Sequence, residues 1–98
     1  MVHLISIRKE LHEYYTNDSG DELNRIIRHH FDNKEKVIVS FDGISEINSS
    51  FVNSAFVQLL DFYDLKFIMQ HLTFKHSNRQ INNLILSRFK FESEHMYV

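Results

Sequence analysis

The sequence predicts an α/β fold, in which crossover helices join the strands of a small, mostly parallel sheet. Short runs of β-branched and aliphatic residues alternate along the chain with longer segments whose apolar residues recur at helical spacing. The resulting order is strand, helix, strand, helix, strand, helix, which implies parallel strands with right-handed crossovers. A chain of 98 residues is long enough for one hydrophobic core. We therefore expect a single domain over residues 1–98.

The first strand and the first helix follow from local patterns. Residues 2–7 form a short aliphatic run followed by charges, which predicts a strand. Residues 8–18 end in turn-forming residues, and we expect an irregular connector there. Ser19 and Glu22 have the capping-box spacing, so the helix is expected to begin at Ser19. Its apolar residues continue at helical spacing to Phe31.

The central strand is expected at residues 37–41, which are apolar with almost no alternation. Such a run is typical of a strand covered on both faces. Asp42 and Gly43 then provide a turn, and residues 44–47 are expected to form a loop whose two isoleucines lie beneath the end of the sheet. A hairpin is the alternative, because Asp-Gly between apolar runs is a hairpin signal. The polar residues that follow favour the loop over a return strand.

The second helix is expected to begin at Ser49 or Ser50, since both are good N-cap residues. A broad apolar face continues to Tyr63, and we expect the helix to break near Asp64. Residues 64–71 contain apolar residues that fit either an extension of the helix or a separate turn.

The last third of the chain predicts a strand followed by a helix. Residues 72–75 have the composition of a third strand. Ser77 and Gln80 repeat the capping-box spacing, and apolar residues at helical spacing over residues 81–89 predict a third helix. Residues 96–98 fit either an edge strand or a loose end.

The composition of the sequence excludes several classes of function. The net charge is −2 and the pI is about 6.4, so no global positive field attracts nucleic acid. The absence of cysteine excludes disulfides, thiol catalysis and cysteine-based metal sites. None of the seven histidines has helical ligand spacing, so we expect no metal and no cofactor. Neither a signal peptide nor a membrane-spanning apolar stretch is present in the sequence, which predicts a cytoplasmic location.

The central stretch consists of a strand, an Asp-Gly turn, a spacer and Ile-Asn-Ser-Ser at the start of an apolar helix. This arrangement resembles the STAS domain of anti-sigma-factor antagonists. It resembles the bacterial STAS-like domains of unassigned function more closely, over residues 36–89. In the antagonists, an Asp-Ser-Ser-Gly step carries a serine that a partner kinase phosphorylates, and Ser49 matches it by position. Asn48 replaces the aspartate and Phe51 the glycine, and Ser-Ser-Phe favours the STAS-like group.

The resemblance implies a STAS-like fold and a non-enzymatic module of a bacterium or phage that binds a protein partner, as a regulator or inhibitor. The partner would be a kinase, an anti-sigma-like ATPase or another effector, and Ser49 would be the phosphosite. Free backbone N–H groups at the helix start would also favour an anion. The expected partner-binding residues are Asp42, Gly43, Asn48, Ser49, Ser50, Phe51 and Asn53. A purely structural alternative makes Ser50 the helix cap, Asn48 a loop-shaping residue and Phe51 a core residue.

Three other functions are alternatives to this one. A nucleic-acid-associated accessory protein would use a basic helix face, formed by Lys75, Arg79, Arg88 and Lys90. A homodimer would use the free edge strand and the aromatic residues. A hydrolase would need Ser49 or Ser50 as nucleophile with His76 and Asp42. The sequence lacks the Gly-x-Ser-x-Gly elbow, so we expect no catalytic residues.

Overall fold

A computed structural model describes residues 1–95, in which three parallel strands form one sheet with the order β1-β2-β3. The strands are β1 (Val2–Ser6), β2 (Lys36–Ser40) and β3 (Leu72–Lys75). The helices are α1 (Ile7–Glu10), α2 (Asn17–Asp32), α3 (Ser49–Ala55), α4 (Leu65–His71) and α5 (Arg79–His95), and a 3₁₀ helix (Val57–Asp61) lies between α3 and α4. The predicted α/β fold, with its second strand at the centre, is confirmed.

The crossover helices pack on one face of this sheet. When parallel strands follow one another in chain order, right-handed crossovers both fall on the same side. Ile5, Val37 and Val39 face that side and are fully buried. On the other side Leu4 is 54% exposed, and Ile38, its partner on β2, is only half-buried. The expectation that both faces of β2 are covered is therefore wrong, because this strand order leaves most of one face open.

Helix α2 begins earlier than predicted, after a capping box formed by Thr16 and Ser19. The Ser19 N–H donates to Thr16 Oγ1 at 3.1 Å, and the Thr16 N–H donates to Ser19 Oγ at 3.3 Å. Ser19 therefore fills the position that glutamate usually occupies in this motif, and the predicted Ser19–Glu22 box is wrong. Gly20 therefore lies in the first full turn of the helix and is buried.

Helices α2 and α3 lie in direct contact at Gly20. A Cβ atom on Gly20 would lie 2.6 Å from Ser54 Cβ and 2.9 Å from the Phe51 carbonyl oxygen. One turn further along α2, the buried Asn24 donates from Nδ2 to the Ala55 carbonyl oxygen at 3.2 Å. The absence of a side chain at Gly20 thus sets the distance between the two helices.

The predicted second helix is divided into two parts, α3 and the 3₁₀ helix. Helix α3 ends at Ala55, and the 3₁₀ helix that follows keeps Phe56 and Leu59 fully buried in the core. The break predicted near Asp64 is confirmed, because Asp64 Oδ1 accepts from the Phe67 N–H at 2.8 Å and caps α4. The prediction of an unbroken helix as far as residue 63 is wrong, because packing of the apolar residues in the core outweighs their helical spacing.

The end of α2 is tied to the chain between the 3₁₀ helix and α4 by Tyr63. Its hydroxyl donates to Asp32 Oδ1 at 2.7 Å, and its ring packs edge-on against Phe31 with a centroid distance of 5.2 Å. Burial, with the bond to the Asp32 carboxylate as the second cause, raises the pKa of Tyr63 to about 12. The hydroxyl therefore stays protonated and keeps donating throughout the physiological range.

Helix α5 is capped by Asn78, whose Oδ1 accepts from the Ile81 N–H at 3.0 Å. The predicted Ser77–Gln80 capping box is wrong, since the Ser77 hydroxyl donates to a side chain of α5 and Gln80 bonds to a distant loop. The helix also runs further than predicted, to its end at residue 95. The edge strand suggested for residues 96–98 lies outside the described residues.

The close contact at Gly20 gives a stability prediction. Gly20→Ala should lower the free energy of unfolding by about 1 to 3 kcal/mol, because the new methyl group overlaps Ser54 and a backbone carbonyl that helix α3 holds in place. Urea unfolding measures this change. Adding Ser54→Gly should restore part of the loss, while Glu22→Ala on the exposed side of α2 should change stability by less than about 0.5 kcal/mol. A Gly20→Ala variant as stable as the wild type would contradict the close contact.

Candidate functional site

The loop between β2 and α3 lies at the carboxyl edge of the sheet, where ligand sites of parallel sheets form. Gly43 turns the chain with a φ of +79°, and a Cβ atom there would overlap the guanidinium group of Arg8. The Ile44 N–H then donates to the Phe41 carbonyl oxygen at 2.9 Å and closes the turn. Ile44 and Ile47 are buried beneath the sheet edge, as predicted. The chain continues into α3 rather than into a return strand, so the hairpin alternative is wrong.

Two amide side chains at the start of α5 hold this loop in place. Gln80 bonds to both backbone groups of Ile47: its Oε1 accepts from the N–H at 3.3 Å and its Nε2 donates to the carbonyl oxygen at 3.1 Å. Asn78 donates from Nδ2 to the Ser45 carbonyl oxygen at 2.8 Å. Because these bonds join residues 33 positions apart, the loop conformation depends on the folded core.

Asn48 fixes the end of the loop and caps α3. Its Oδ1 accepts from the Phe51 N–H at 3.0 Å, and its Nδ2 donates to the Tyr15 carbonyl oxygen at 2.9 Å. Ser49 and Ser50 are therefore the first two residues of α3, and the prediction that one of them is the cap is wrong. The amide of Asn48 suits this position because its oxygen and nitrogen are separate atoms, so the oxygen accepts from α3 while the nitrogen donates to the Tyr15 carbonyl.

A cavity of about 360 Å³ opens beside the loop. Its lining residues are Tyr14, Tyr15, Gly43, Ser45, Glu46, Ile47 and Asn48. Tyr14 is half-buried and Tyr15 is 59% exposed, with their rings edge-on to each other at 6.2 Å. Sequence reasoning treated both tyrosines as part of a connector and missed them. The signal that could have found them is their place after β1, whose carboxyl end lies at the same sheet edge.

The predicted partner-binding residues divide into two groups. Asp42, Gly43, Asn48, Ser49 and Ser50 are all exposed on or next to the loop. Phe51 is fully buried against Phe56, so it is a core residue, as in the structural alternative, and is not exposed to a partner. Asn53 is half-buried and accepts from Arg88 on α5, away from the loop. The loop surface, as the term is used below, consists of the exposed side chains of Tyr15, Asp42, Ser45, Glu46, Asn48, Ser49 and Ser50.

The four residues of the predicted basic face do not lie on one face. Arg88 and Lys90 are two positions apart on α5, which places them about 200° apart around the helix. The Arg88 Nε donates to Asn53 Oδ1 at 2.8 Å, and its Nη2 lies 3.7 Å from Glu92 Oε1. The remaining three are Lys75, Arg79 and Lys90, and all of them are exposed. Nucleic-acid binding stays a prediction, with Arg88 outside the face that was expected for it.

Among the side chains that the structure describes, those of residues 1–93, no three histidine, cysteine, aspartate or glutamate residues are grouped so that they could hold a metal ion. None of the helices described there combines the length and the apolar character needed to cross a membrane. What the loop surface does offer is exposed hydroxyls, amides, carboxylates and a tyrosine ring, which are groups suited to contact with another macromolecule.

The double role of Asn48 is testable by two substitutions. Asn48→Ala removes the cap and the bond to the Tyr15 carbonyl, and should lower the free energy of unfolding by about 1 to 2 kcal/mol. Asn48→Asp keeps a good cap and loses only the donor, so its loss should be smaller. Chemical denaturation of the three proteins gives the comparison. Wild-type stability of the alanine variant would show that Asn48 does not hold the helix start.

Comparison with protein families identifies the fold. The sequence model of the STAS-like domain of unknown function (DUF4325) matches residues 19–82, which is more than half of the 98 residues. The match extends from α2 into the first turn of α5 and includes the loop surface after Tyr15. The curated proteins and the solved structures gave no match. The resemblance noted from the central stretch is confirmed, and the chain belongs to the family of STAS-like domains of unknown function.

Proposed function

We propose that this STAS-like domain is a protein-binding regulatory module of the cytoplasm that contacts its partner through the loop surface. One observation carries the proposal: the loop backbone is fixed by long-range hydrogen bonds while its polar side chains remain exposed. Asn48, Asn78 and Gln80 bond to backbone groups on or beside the loop and hold its amides and carbonyls in place. The side chains of Asp42, Ser45, Glu46, Ser49 and Ser50 face solvent.

A fixed and exposed loop is favourable for recognition because little conformational entropy is lost when a partner binds. The surface also combines a tyrosine with small polar side chains, and tyrosine is among the residues that contribute most to protein interfaces. Tyr15 is 59% exposed at the rim of the 360 Å³ cavity, so its ring can be covered by a partner side chain. A kinase, an anti-sigma-like ATPase or another effector is the class of partner that the STAS resemblance supports, with the module acting as its regulator or inhibitor.

Ser49 is the residue through which binding would be regulated. Its side chain is exposed at the first position of α3, where a kinase can reach the hydroxyl. Phosphorylation would add about 1.5 to 2 negative charges to a surface that already carries Asp42 and Glu46. Such a change of charge would alter the fit to a partner without disturbing the core, because the helix cap is supplied by Asn48.

Affinity capture from lysate of the native host tests the proposal, with wild type and Ser49→Asp compared by mass spectrometry. Ser87→Asp is the control, because Ser87 is also exposed but lies on α5. We expect a partner that wild type and Ser87→Asp recover and that Ser49→Asp recovers about tenfold less. Calorimetry with the purified partner should then give the same order of affinities. All three proteins should melt at similar temperatures, since both serines are exposed.

The proposal fails if the three proteins capture the same partner equally while their melting temperatures agree. Equal capture would mean that the partner contacts another surface. Recovery of nucleic acid alone would instead favour the accessory function, and recovery of further copies of the chain would favour the homodimer.

A further inference from the structure

A second surface of the molecule is an apolar groove between α4, β3 and α5, with a volume of about 390 Å³. It shares no lining residue with the cavity beside the loop. Of the described residues that line this β3 groove, all but Lys90 and Ser93 are apolar. Met69 on α4 and Leu86 on α5 stand at its two sides and are 70% and 67% exposed. Exposed apolar side chains around a groove mark a surface that binds another segment.

The position of β3 indicates the shape of that segment. Strand β3 lies at the edge of the sheet, and within residues 1–95 it pairs only with β2. Leu72 and Phe74 line the groove, whereas Thr73 and Lys75 alternate with them and are exposed on the open face. An added strand beside β3 would direct every second side chain into the groove, and the others would lie next to Lys75.

The charges around the groove indicate the chemistry of the segment. Lys90 lines the groove, Lys75 lies on the outer face of its edge strand, and Arg79 precedes Leu86 by two helical turns on the same side of α5. Among the carboxylates whose side chains the structure describes, Asp64 caps α4, and Glu92 lies on the other side of α5 beside Arg88. Two copies of the chain would bring these cations together, whereas an acidic partner would complement them.

We infer that the β3 groove binds an extended segment of a partner protein in which apolar residues alternate with acidic ones. The segment adds a fourth strand beside β3, its apolar side chains cover Leu72 and Phe74, and its acidic side chains face Lys75 on the open side of the sheet. This surface is separate from the loop surface, so one molecule can hold two partners or two parts of one partner.

Fluorescence anisotropy with short labelled peptides tests the inference on the full chain. The probe is a peptide in which leucine alternates with glutamate. Its controls are a peptide of the same composition with the leucines grouped together and a peptide in which leucine alternates with lysine. We expect binding of the alternating acidic peptide at least about tenfold tighter than either control, and weaker binding as salt is raised.

Three protein variants locate the binding. Leu86→Glu places a carboxylate at the side of the groove, and Lys75→Glu inverts the charge that faces the acidic side chains, so each should weaken binding of the acidic peptide by about tenfold or more. Leu4→Glu is the matched control, because Leu4 is similarly exposed at 54% but lies on β1, two strands away from the groove. Its affinity for the peptide should equal that of the wild type. Melting curves of the variants should agree, since the substituted side chains are exposed.

Three results would overturn the inference. Equal affinity for the alternating and grouped peptides would exclude a strand-like segment, and equal affinity for the acidic and basic peptides would exclude charge complementarity. Sedimentation of the free chain as a dimer that Leu86→Glu converts to a monomer would assign the groove to a second copy instead. Because Ser49 lies on the other surface, Ser49→Asp should leave peptide binding unchanged, so failure here is distinguishable from failure of the proposed function.

Discussion

The arrangement of this molecule depends on the placement of both crossovers on the same face of a sheet whose strands follow in chain order. That placement forces α2 and α3 to lie side by side, and the missing side chain of Gly20 permits their contact. The buried Asn24 adds a hydrogen bond between the same two helices. Three consequences follow: the start of α3 is held at the carboxyl edge of the sheet, β3 is left at the sheet edge, and most of the opposite sheet face stays open.

Amide side chains hold the loop between β2 and α3 in place beside the contact of α2 with α3. Asn48 caps α3 and Asn78 caps α5, and each also donates to a distant backbone carbonyl. Gln80 bonds to both the N–H and the carbonyl oxygen of Ile47. An amide can do this because it carries an acceptor and two donors on one rigid plane. These bonds leave the loop side chains free for contact, since the groups that shape the loop are mainly its own backbone and amides from neighbouring elements. The backbone atoms of the loop thus hold its conformation, while its polar side chains stay exposed.

Much of the fold could be predicted from local patterns, and the failures have physical causes. The strands, the burial of Ile44 and Ile47, and the break at Asp64 follow from periodicity and turn chemistry. The helix starts were misplaced because several adjacent residues can act as caps, and only tertiary contacts select Asn48 among them. The open sheet face depends on strand order, which no single segment specifies. The basic face failed for a reason that helix geometry alone could have revealed: positions 88 and 90 point in opposite directions.

The central claim is that the exposed loop between β2 and α3 is held in one conformation by bonds from α5, and native-state hydrogen exchange tests it most directly. The Ile47 N–H donates to Gln80 Oε1 at 3.3 Å, so it should exchange at least about a hundredfold more slowly than in an unstructured peptide. Gln80→Ala should abolish that protection while leaving the N–H of Val39, in the central strand, protected. Exchange of Ile47 in the wild type at the rate of an unstructured peptide would contradict the claim.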